Sequence, residues 1–136
     1  MLLQKYIESR LDMIETSLKE YLGTQSGPNK QLKQAMHYAV FSGGKRWRPL
    51  LLLSIYEMLM RMRKNTGLPQ ALKAATAVEL VHNASLVHDD LPIIMNRTER
   101  RSQPALHTKF GNATAILTGD ALYTLAFEVL GQISPP

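Results

Sequence analysis

The sequence of 136 residues contains no cysteine. This absence excludes disulfide bonds, thiolate metal ligands and a cysteine nucleophile, and it is compatible with a reducing compartment. Long apolar runs are missing too, because the longest aliphatic run, Leu50–Leu53, is far shorter than the roughly 20 residues that span a bilayer. Lys5 and Glu8 interrupt the N-terminal segment, so no secretory signal is predicted. We therefore expect a cytoplasmic protein without stable membrane insertion.

Acidic residues are outnumbered by basic ones, which leaves a formal net charge of +5. This balance is compatible with phosphorylated small molecules, nucleic acid and anionic membranes as partners. Nucleic acid ranks far below the others, because the basic residues flank acids and do not alternate with exposed aromatic residues. At this length, one domain with a sizeable buried core is predicted.

Apolar residues recur at helical spacing through most of the chain. No segment alternates apolar and polar residues as a half-buried strand does, so the predicted fold class is all-α. Glycine and proline pairs separate the periodic segments and predict where the helices end. Five helices are predicted: at about 3–22, at about 31–41, from after Pro49 to about 63, from about 72 to the Asp89-Asp90 pair, and at about 113–130. Asn112 is the predicted N-cap of the last helix. Residues 93–103 are predicted to be a loop.

The last predicted helix carries apolar residues on nearly every side. A helix that is apolar all round is typically buried. We therefore expect something to cover it, either a second copy of the chain or the remainder of a larger helical protein.

Two adjacent carboxylates, Asp89 and Asp90, stand at the C-terminal end of the fourth predicted helix. Carboxylates there oppose the helix dipole, a mild cost that binding a cation would offset. One and two turns earlier on the same face lie Ser85 and His82, which are small or polar in an otherwise aliphatic helix. Two solvated acids are the common alternative interpretation of an isolated Asp-Asp pair.

Two basic clusters accompany the acids. The stretch Gly43–Pro49 combines two glycines, three cations and a proline suited to a helix start, a pattern typical of anion sites. A basic turn with Trp47 anchored in the core is an equal alternative. The stretch Arg97–Arg101 follows the acids, and acids beside arginines suggest a divalent metal that bridges to a phosphorylated ligand. The histidines at 82, 88 and 107 are too irregularly spaced to predict a zinc site.

Three stretches, taken in order, resemble the isoprenyl diphosphate synthases (trans-prenyltransferases). They are residues 36–50, 78–92, and 118–122 running on to 126–130. The resemblance covers nearly the whole chain and is greatest to the bacterial farnesyl and geranylgeranyl synthases. It implies an antiparallel helix bundle of the isoprenoid synthase type, usually a homodimer, of which residues 1–136 resemble the N-terminal half.

The resemblance also implies a reaction and roles for residues. Mg²⁺ clamps an allylic diphosphate, whose departure leaves an allylic carbocation that isopentenyl diphosphate attacks. Metal and arginine stabilise the charge that develops on the leaving group. By position, the resemblance implies an isopentenyl diphosphate site made of Lys45, Arg48, His82 and Arg101. It implies that Asp89 and Asp90 are the catalytic metal ligands and that Arg100 contacts the allylic diphosphate. It also implies that Ala84 and Ser85 form the floor of the cavity under the growing prenyl tail. A floor this small resembles that of a geranylgeranyl or longer-chain enzyme.

The sequence departs from the family pattern at two places. The third acid of the first aspartate-rich motif is replaced by Met95, whose thioether is a poor ligand for Mg²⁺. The second aspartate-rich motif is not present in the 136 residues. Two interpretations stay open: a synthase, or part of one, that is inactive as this chain alone, and a non-catalytic paralogue or regulatory subunit that binds a full-length synthase.

Overall fold

The computed structural model describes residues 2–60 and 67–134. Within these ranges the elements are helices α1 (Leu2–Leu22), α2 (Lys30–Phe41), α3 (Trp47–Met60) and α4 (Leu68–Asp89), the two-residue strands β1 (Glu99–Arg100) and β2 (Gln103–Pro104), and helices α5 (Leu106–Phe110) and α6 (Asn112–Gly131). The prediction of an all-α fold is confirmed. The strands pair antiparallel as one short hairpin, with Glu99 opposite Pro104.

Helix α4 is the centre of the packing. It lies against α6 over much of its length and also contacts α3 and α1. Small residues on α4 allow this close approach, because Ala75, Ala77 and Ala84 are all at most 1% exposed. The apolar side chains of the core come from five helices: Ile14 and Leu18 of α1, Val40 of α2, Leu53 of α3, Leu80 of α4, and Leu122 and Val129 of α6. Residues that project from α4 are therefore held on a rigid axis.

Helix α6 buries only one of its apolar faces. Ala115, Leu122 and Ala126 are fully buried against the rest of the bundle, whereas Leu117 and Phe127 are 57% and 68% exposed. By length and composition alone α6 could cross a membrane. One third of its most apolar 18-residue stretch is buried in the structure. The predicted burial of the helix thus holds for one face, and an apolar face is left open along the other.

Several predicted boundaries were wrong. Helix α3 begins at Trp47, before Pro49, because a proline in the first turn lacks only an N–H that has no helical partner there. Asn112 is the first residue of α6 and makes no side-chain capping bond; Gly111 occupies the cap position with a φ of 85°. The hairpin lies mostly in residues 93–103, the segment predicted as loop, and α5 follows that segment; neither element was predicted. The predicted end of the third helix falls outside the described residues.

Trp47 does not anchor the basic turn, since it is 62% exposed. Arg46 takes that place instead and is only 5% exposed. The alternative interpretation of the turn was therefore wrong in its choice of anchor. The turn is held in the core by a charged residue, and an anchor of that kind needs buried partners.

Candidate functional site

The glycine turn between α2 and α3 lies directly against Arg101 of the hairpin. Gly43 and Gly44 have φ values of 100° and 134°, which favour glycine. A Cβ atom at Gly44 would lie 2.8 Å from Nη1 of Arg101, so a side chain there would collide with the guanidinium. Arg101 also donates a hydrogen bond to the carbonyl oxygen of Gly43. Lys45 follows Gly44 directly in this turn and is exposed.

The hairpin that carries Arg101 is strained. Arg101 and Ser102 form its two-residue turn with φ values of 54° and 60°. Both values fall in the left-handed region, which Asn and Gly occupy most readily in a turn of this kind. Strain of this sort persists where the surroundings impose it, and it is enriched at functional sites. The two-residue connection between β1 and β2 requires this conformation at both positions, and Arg101 also contacts the glycine turn.

Arg48 and His82 meet on the same side of the bundle. Nη1 of Arg48, in the first turn of α3, donates to Nε2 of His82 on α4 at 3.3 Å. Burial lowers the pKa of His82, and the nearby charges of Arg48 and Arg101 lower it further. A depressed pKa keeps the imidazole neutral at pH 7, so that it accepts from Arg48.

Arg101 lies among like charges. Burial is the main reason why its pKa falls below the ordinary arginine value, and the charges of Arg46, Arg100 and Arg48 lower it further. Glu79 opposes this shift. Arginine stays protonated at any ordinary pH, so Arg101 adds its charge to those of Arg46, Arg100 and Arg48 in a partly buried place. Such a concentration favours a multiply charged anion.

A buried polar network lies behind these cations. The guanidinium of Arg46 donates to Oε1 of Glu15 at 2.7 Å, to Oε1 of Glu79 at 3.0 Å and to the carbonyl oxygen of Val40 at 2.7 Å. Nδ2 of Asn83 donates to the carbonyl oxygen of Glu79 at 2.8 Å and to its Oε1 at 3.1 Å. Glu79 and Asn83 are 2% and 1% exposed. Buried charge must be paired in this way to be tolerated.

This network was not anticipated from the sequence. A signal for it exists, because Glu79 and Asn83 stand four residues apart and therefore on one face of a helix otherwise rich in apolar residues. A polar pair at that spacing indicates a buried polar face. What the spacing could not indicate is the partner, because Arg46 lies 33 residues earlier in the chain.

Asp90 is held by Arg100. Nε and Nη2 of Arg100 donate to the two carboxylate oxygens of Asp90 at 2.6 and 2.7 Å, a bidentate pair. Asp90 is 3% exposed, and its hydrogen bonds raise the pKa of Arg100. The hairpin is thereby tied to the end of α4. Asp89 is half-buried beside this pair, and its charge raises the pKa of Arg100 further.

Comparison with known proteins identifies the family. The polyprenyl synthetase family model matches residues 29–135. The chain belongs to the polyprenyl synthetase family. Farnesyl diphosphate synthase of Geobacillus stearothermophilus is 43% identical over 96% of the chain, and geranylgeranyl diphosphate synthase of Methanosarcina mazei is 41% identical over 93%. The crystal structure of a geranyltranstransferase from Thermotoga maritima superposes with a TM-score of 0.84 at 38% identity over 93% of the chain.

The match covers only part of each relative. The chain spans 42% of the Geobacillus synthase, 36% of the Methanosarcina synthase and 45% of the Thermotoga chain. The resemblance noted from the motifs and the predicted isoprenoid synthase fold are therefore both confirmed, as a match to part of the synthases.

The polyprenyl synthetase family is generally magnesium-dependent. Asp89 and Asp90 are the residues that would hold the cation in this chain. Both oxygens of Asp90 are occupied by Arg100. Met95 lies next to Asp89, since its backbone N–H donates to the carbonyl oxygen of Asp89 at 3.0 Å, but it offers only a thioether. Across residues 2–60 and 67–134 no three acids or histidines are grouped as a metal site. Among the residues described, Arg100 therefore competes with a cation for Asp90, and position 95 supplies no carboxylate.

The predicted chain-length residues lie on the inner side of α4. Ala84 is fully buried in the main core. Ser85 is half-buried, and its hydroxyl donates to the carbonyl oxygen of His82 at 2.8 Å. Their role beneath a growing prenyl tail stays a prediction, as do the ligand roles of the cations.

Two further histidines have structural partners, as expected for isolated histidines. Nε2 of His107 donates to the carbonyl oxygen of Arg97 at 2.9 Å and so fixes the loop before the hairpin. Nε2 of His88 donates to the carbonyl oxygen of Ile116 at 3.0 Å and joins the end of α4 to α6.

Proposed function

We propose that this chain carries the isopentenyl diphosphate site and the first aspartate-rich motif of a prenyl diphosphate synthase of the farnesyl or geranylgeranyl type. The observation that most supports this is the convergence of Arg48, His82 and Arg101 beside the glycine turn that carries Lys45. A diphosphate offers several acceptor oxygens to such a group, and guanidinium bonds to phosphate are among the strong hydrogen bonds of proteins.

In the reaction that we assign to the whole protein, the C1–O bond of an allylic diphosphate breaks and its electron pair leaves with the diphosphate. The double bond of isopentenyl diphosphate attacks the allylic carbon, and loss of one proton completes the condensation. Lys45, Arg48, His82 and Arg101 hold the isopentenyl diphosphate in this scheme, and Arg100 contacts the allylic diphosphate. The positive charge of Arg100 stabilises the negative charge that develops on the departing allylic diphosphate.

The chain alone, in this proposal, does not turn over. Asp90 is occupied by Arg100, and position 95 lacks a carboxylate. The allylic diphosphate therefore has no complete acidic set to which a cation could bind. The test is a condensation assay on the purified 136-residue chain with isopentenyl diphosphate and an allylic diphosphate. Product above background would contradict this part of the proposal.

The diphosphate site is tested by calorimetric titration with isopentenyl diphosphate in the absence of Mg²⁺. Binding is expected, and Arg48→Gln should weaken it by about tenfold or more, which corresponds to ~1.4 kcal/mol. Lys19→Gln is the matched control, because Lys19 is an exposed cation on α1 and its loss changes the net charge equally. No binding by the unaltered chain, or an equal effect of both variants, would overturn the assignment.

A second candidate function is that of a non-catalytic subunit bound to a full-length synthase. The observation in its favour is the pair of exposed apolar faces on α3 and α6, which include Leu51, Met58, Leu117 and Phe127. Exposed apolar surface of this kind marks interaction sites. Light scattering after size-exclusion chromatography, on the chain alone and mixed with a full-length farnesyl diphosphate synthase, distinguishes a self-associating chain from a subunit.

A further inference from the structure

Asn83 stands between the buried network and the exposed cations. Its amide nitrogen donates twice to Glu79, to the carbonyl oxygen and to Oε1. Because the amide nitrogen makes both of these bonds, the amide oxygen Oδ1 points away from Glu79. Nη1 of Arg101 lies 3.4 Å from that oxygen and donates to it.

Glu79 itself is held in place by Arg46. The pair is almost fully buried, with side-chain exposures of 4% for Arg46 and 3% for Glu79. Arg46 adopts a left-handed backbone conformation, with a φ of 51°, at the point where the glycine turn enters α3. One continuous set of hydrogen bonds therefore joins the turn, α4 and the hairpin: Arg46 to Glu79, Glu79 to Asn83, and Asn83 to Arg101.

We propose that Asn83 is a positioning residue that aims the guanidinium of Arg101 at the ligand diphosphate. Arg101 lies in a strained two-residue turn among other cations, and its guanidinium donates there to two acceptors, the carbonyl oxygen of Gly43 and Oδ1 of Asn83. Asn83 is the side-chain acceptor of the two, and it is neutral. A carboxylate at this position would draw Arg101 into an ion pair and compete with the diphosphate, whereas an amide oxygen orients the guanidinium and leaves its charge available.

This inference rests on the proposed function only for the identity of the ligand. A small cavity lined by Asn83, Asp90, Arg100 and Arg101 lies at the same place and gives the Arg101 side chain room to move if its acceptor is removed. Loss of the amide should therefore allow the guanidinium to change direction.

The experiment is a double-mutant cycle read with inorganic pyrophosphate by calorimetry. Arg101→Gln should weaken binding by about tenfold or more, and Asn83→Ala by about three- to tenfold, as expected for a hydrogen bond to a charged group. In the double variant the loss should equal that of Arg101→Gln alone, because Asn83 acts only through Arg101. Additive losses, or full affinity in Asn83→Ala, would overturn the proposal.

Thr76→Val is the control for loss of a buried polar group. Thr76 lies two turns before Asn83 on α4 and is fully buried. Its hydroxyl is hydrogen-bonded to the hydroxyl of Ser17 at 2.8 Å. It should cost stability without changing the affinity for pyrophosphate. An affinity loss in Thr76→Val equal to that in Asn83→Ala would show a general effect of destabilisation and would refute the positioning role.

A second measurement on the free chain separates this inference from the proposed function. The side-chain Nη1–H resonance of Arg101, assigned by its loss in Arg101→Gln, should be shifted and slowly exchanging in the unaltered chain. It should move toward the solvent-exposed position in Asn83→Ala and stay in place in Thr76→Val. If pyrophosphate does not bind but the resonance behaves in this way, the proposed function fails and the positioning stands. If pyrophosphate binds but the resonance is unmoved in Asn83→Ala, the positioning fails alone.

Discussion

The imidazole of His88 occupies the space that a side chain at position 119 would need. A Cβ atom built on Gly119 would lie 2.0 Å from Nε2 of His88, and the same nitrogen bonds to the carbonyl oxygen of Ile116. The last turn of α4 thus lies directly against α6. Because Asp89 and Asp90 follow His88 immediately, this contact determines where the two carboxylates stand.

The first prediction concerns this contact. Gly119→Ala should lower the free energy of unfolding by about 2 kcal/mol, because the methyl group displaces His88 and breaks its bond to Ile116. In a His88→Ala background the same change should be neutral or stabilising, since alanine exceeds glycine in helix propensity by about 1 kcal/mol. The measurement is urea unfolding of the four chains.

Gly131→Ala is the control for the propensity effect. Gly131 ends the same helix, and no atom lies within 4 Å of a Cβ built there. This substitution should not destabilise the chain in either background. If Gly119→Ala costs the same with and without His88, the steric account is wrong.

The second prediction concerns the hairpin turn. Ser102 has a φ of 60°, a conformation that costs a residue with a side chain about 1 kcal/mol and glycine almost nothing. Ser102→Gly should therefore raise the free energy of unfolding by about that amount. Gln103→Gly, one position later in β2, should lower it, because glycine weakens an extended segment. Equal effects of the two changes in urea unfolding would remove the case for strain at Ser102.

The third prediction concerns the missing acid. Met95→Asp should introduce Mg²⁺-dependent binding of an allylic diphosphate, with affinity at millimolar Mg²⁺ tighter by about tenfold than without it, or ~1.4 kcal/mol. The reason is that position 95 lies beside Asp89 through their backbone hydrogen bond. Met95→Asn is the matched control with an oxygen but no charge. Strong Mg²⁺ dependence in the unaltered chain, measured by calorimetry, would contradict the account of the donor set.

The fourth prediction concerns pH. The pKa of His82 lies below its ordinary value of 6.5 in the free chain, first because of burial and then because of Arg48. The neutral form is therefore favoured by folding, so this residue contributes stability above about pH 6.5 that is lost as the pH falls through the unfolded and then the folded pKa. A bound diphosphate reverses the local charge and should raise the pKa.

Binding of isopentenyl diphosphate should then take up a fraction of a proton near pH 6.5, and affinity should increase as the pH falls from 8 to 6. Calorimetry in two buffers of different ionisation enthalpy measures the uptake. His82→Gln lacks the titrating group and controls for protonation of the diphosphate itself. An identical proton uptake in the variant would show that His82 does not titrate on binding.

Helix periodicity determined most of the architecture. The bundle, the order of its helices and the placement of the aspartate pair at the end of a helix could all be predicted, because burying an apolar face dictates helix position locally. The motifs also indicated the family, since the basic turn, the aspartates and the arginine pair keep their order and spacing. These features depend on neighbours a few residues apart, and the sequence displays those directly.

The tertiary structure alone decided how the charges are paired. Arg46 is buried and Trp47 exposed, although a tryptophan is ordinarily the better core residue. Arg100 binds Asp90, and Asn83 meets Arg101 across 18 residues of chain. Each pairing depends on the direction in which a buried side chain faces after the helices have packed. Spacing along the chain carries no information on that direction, because one helix face can meet any of several others.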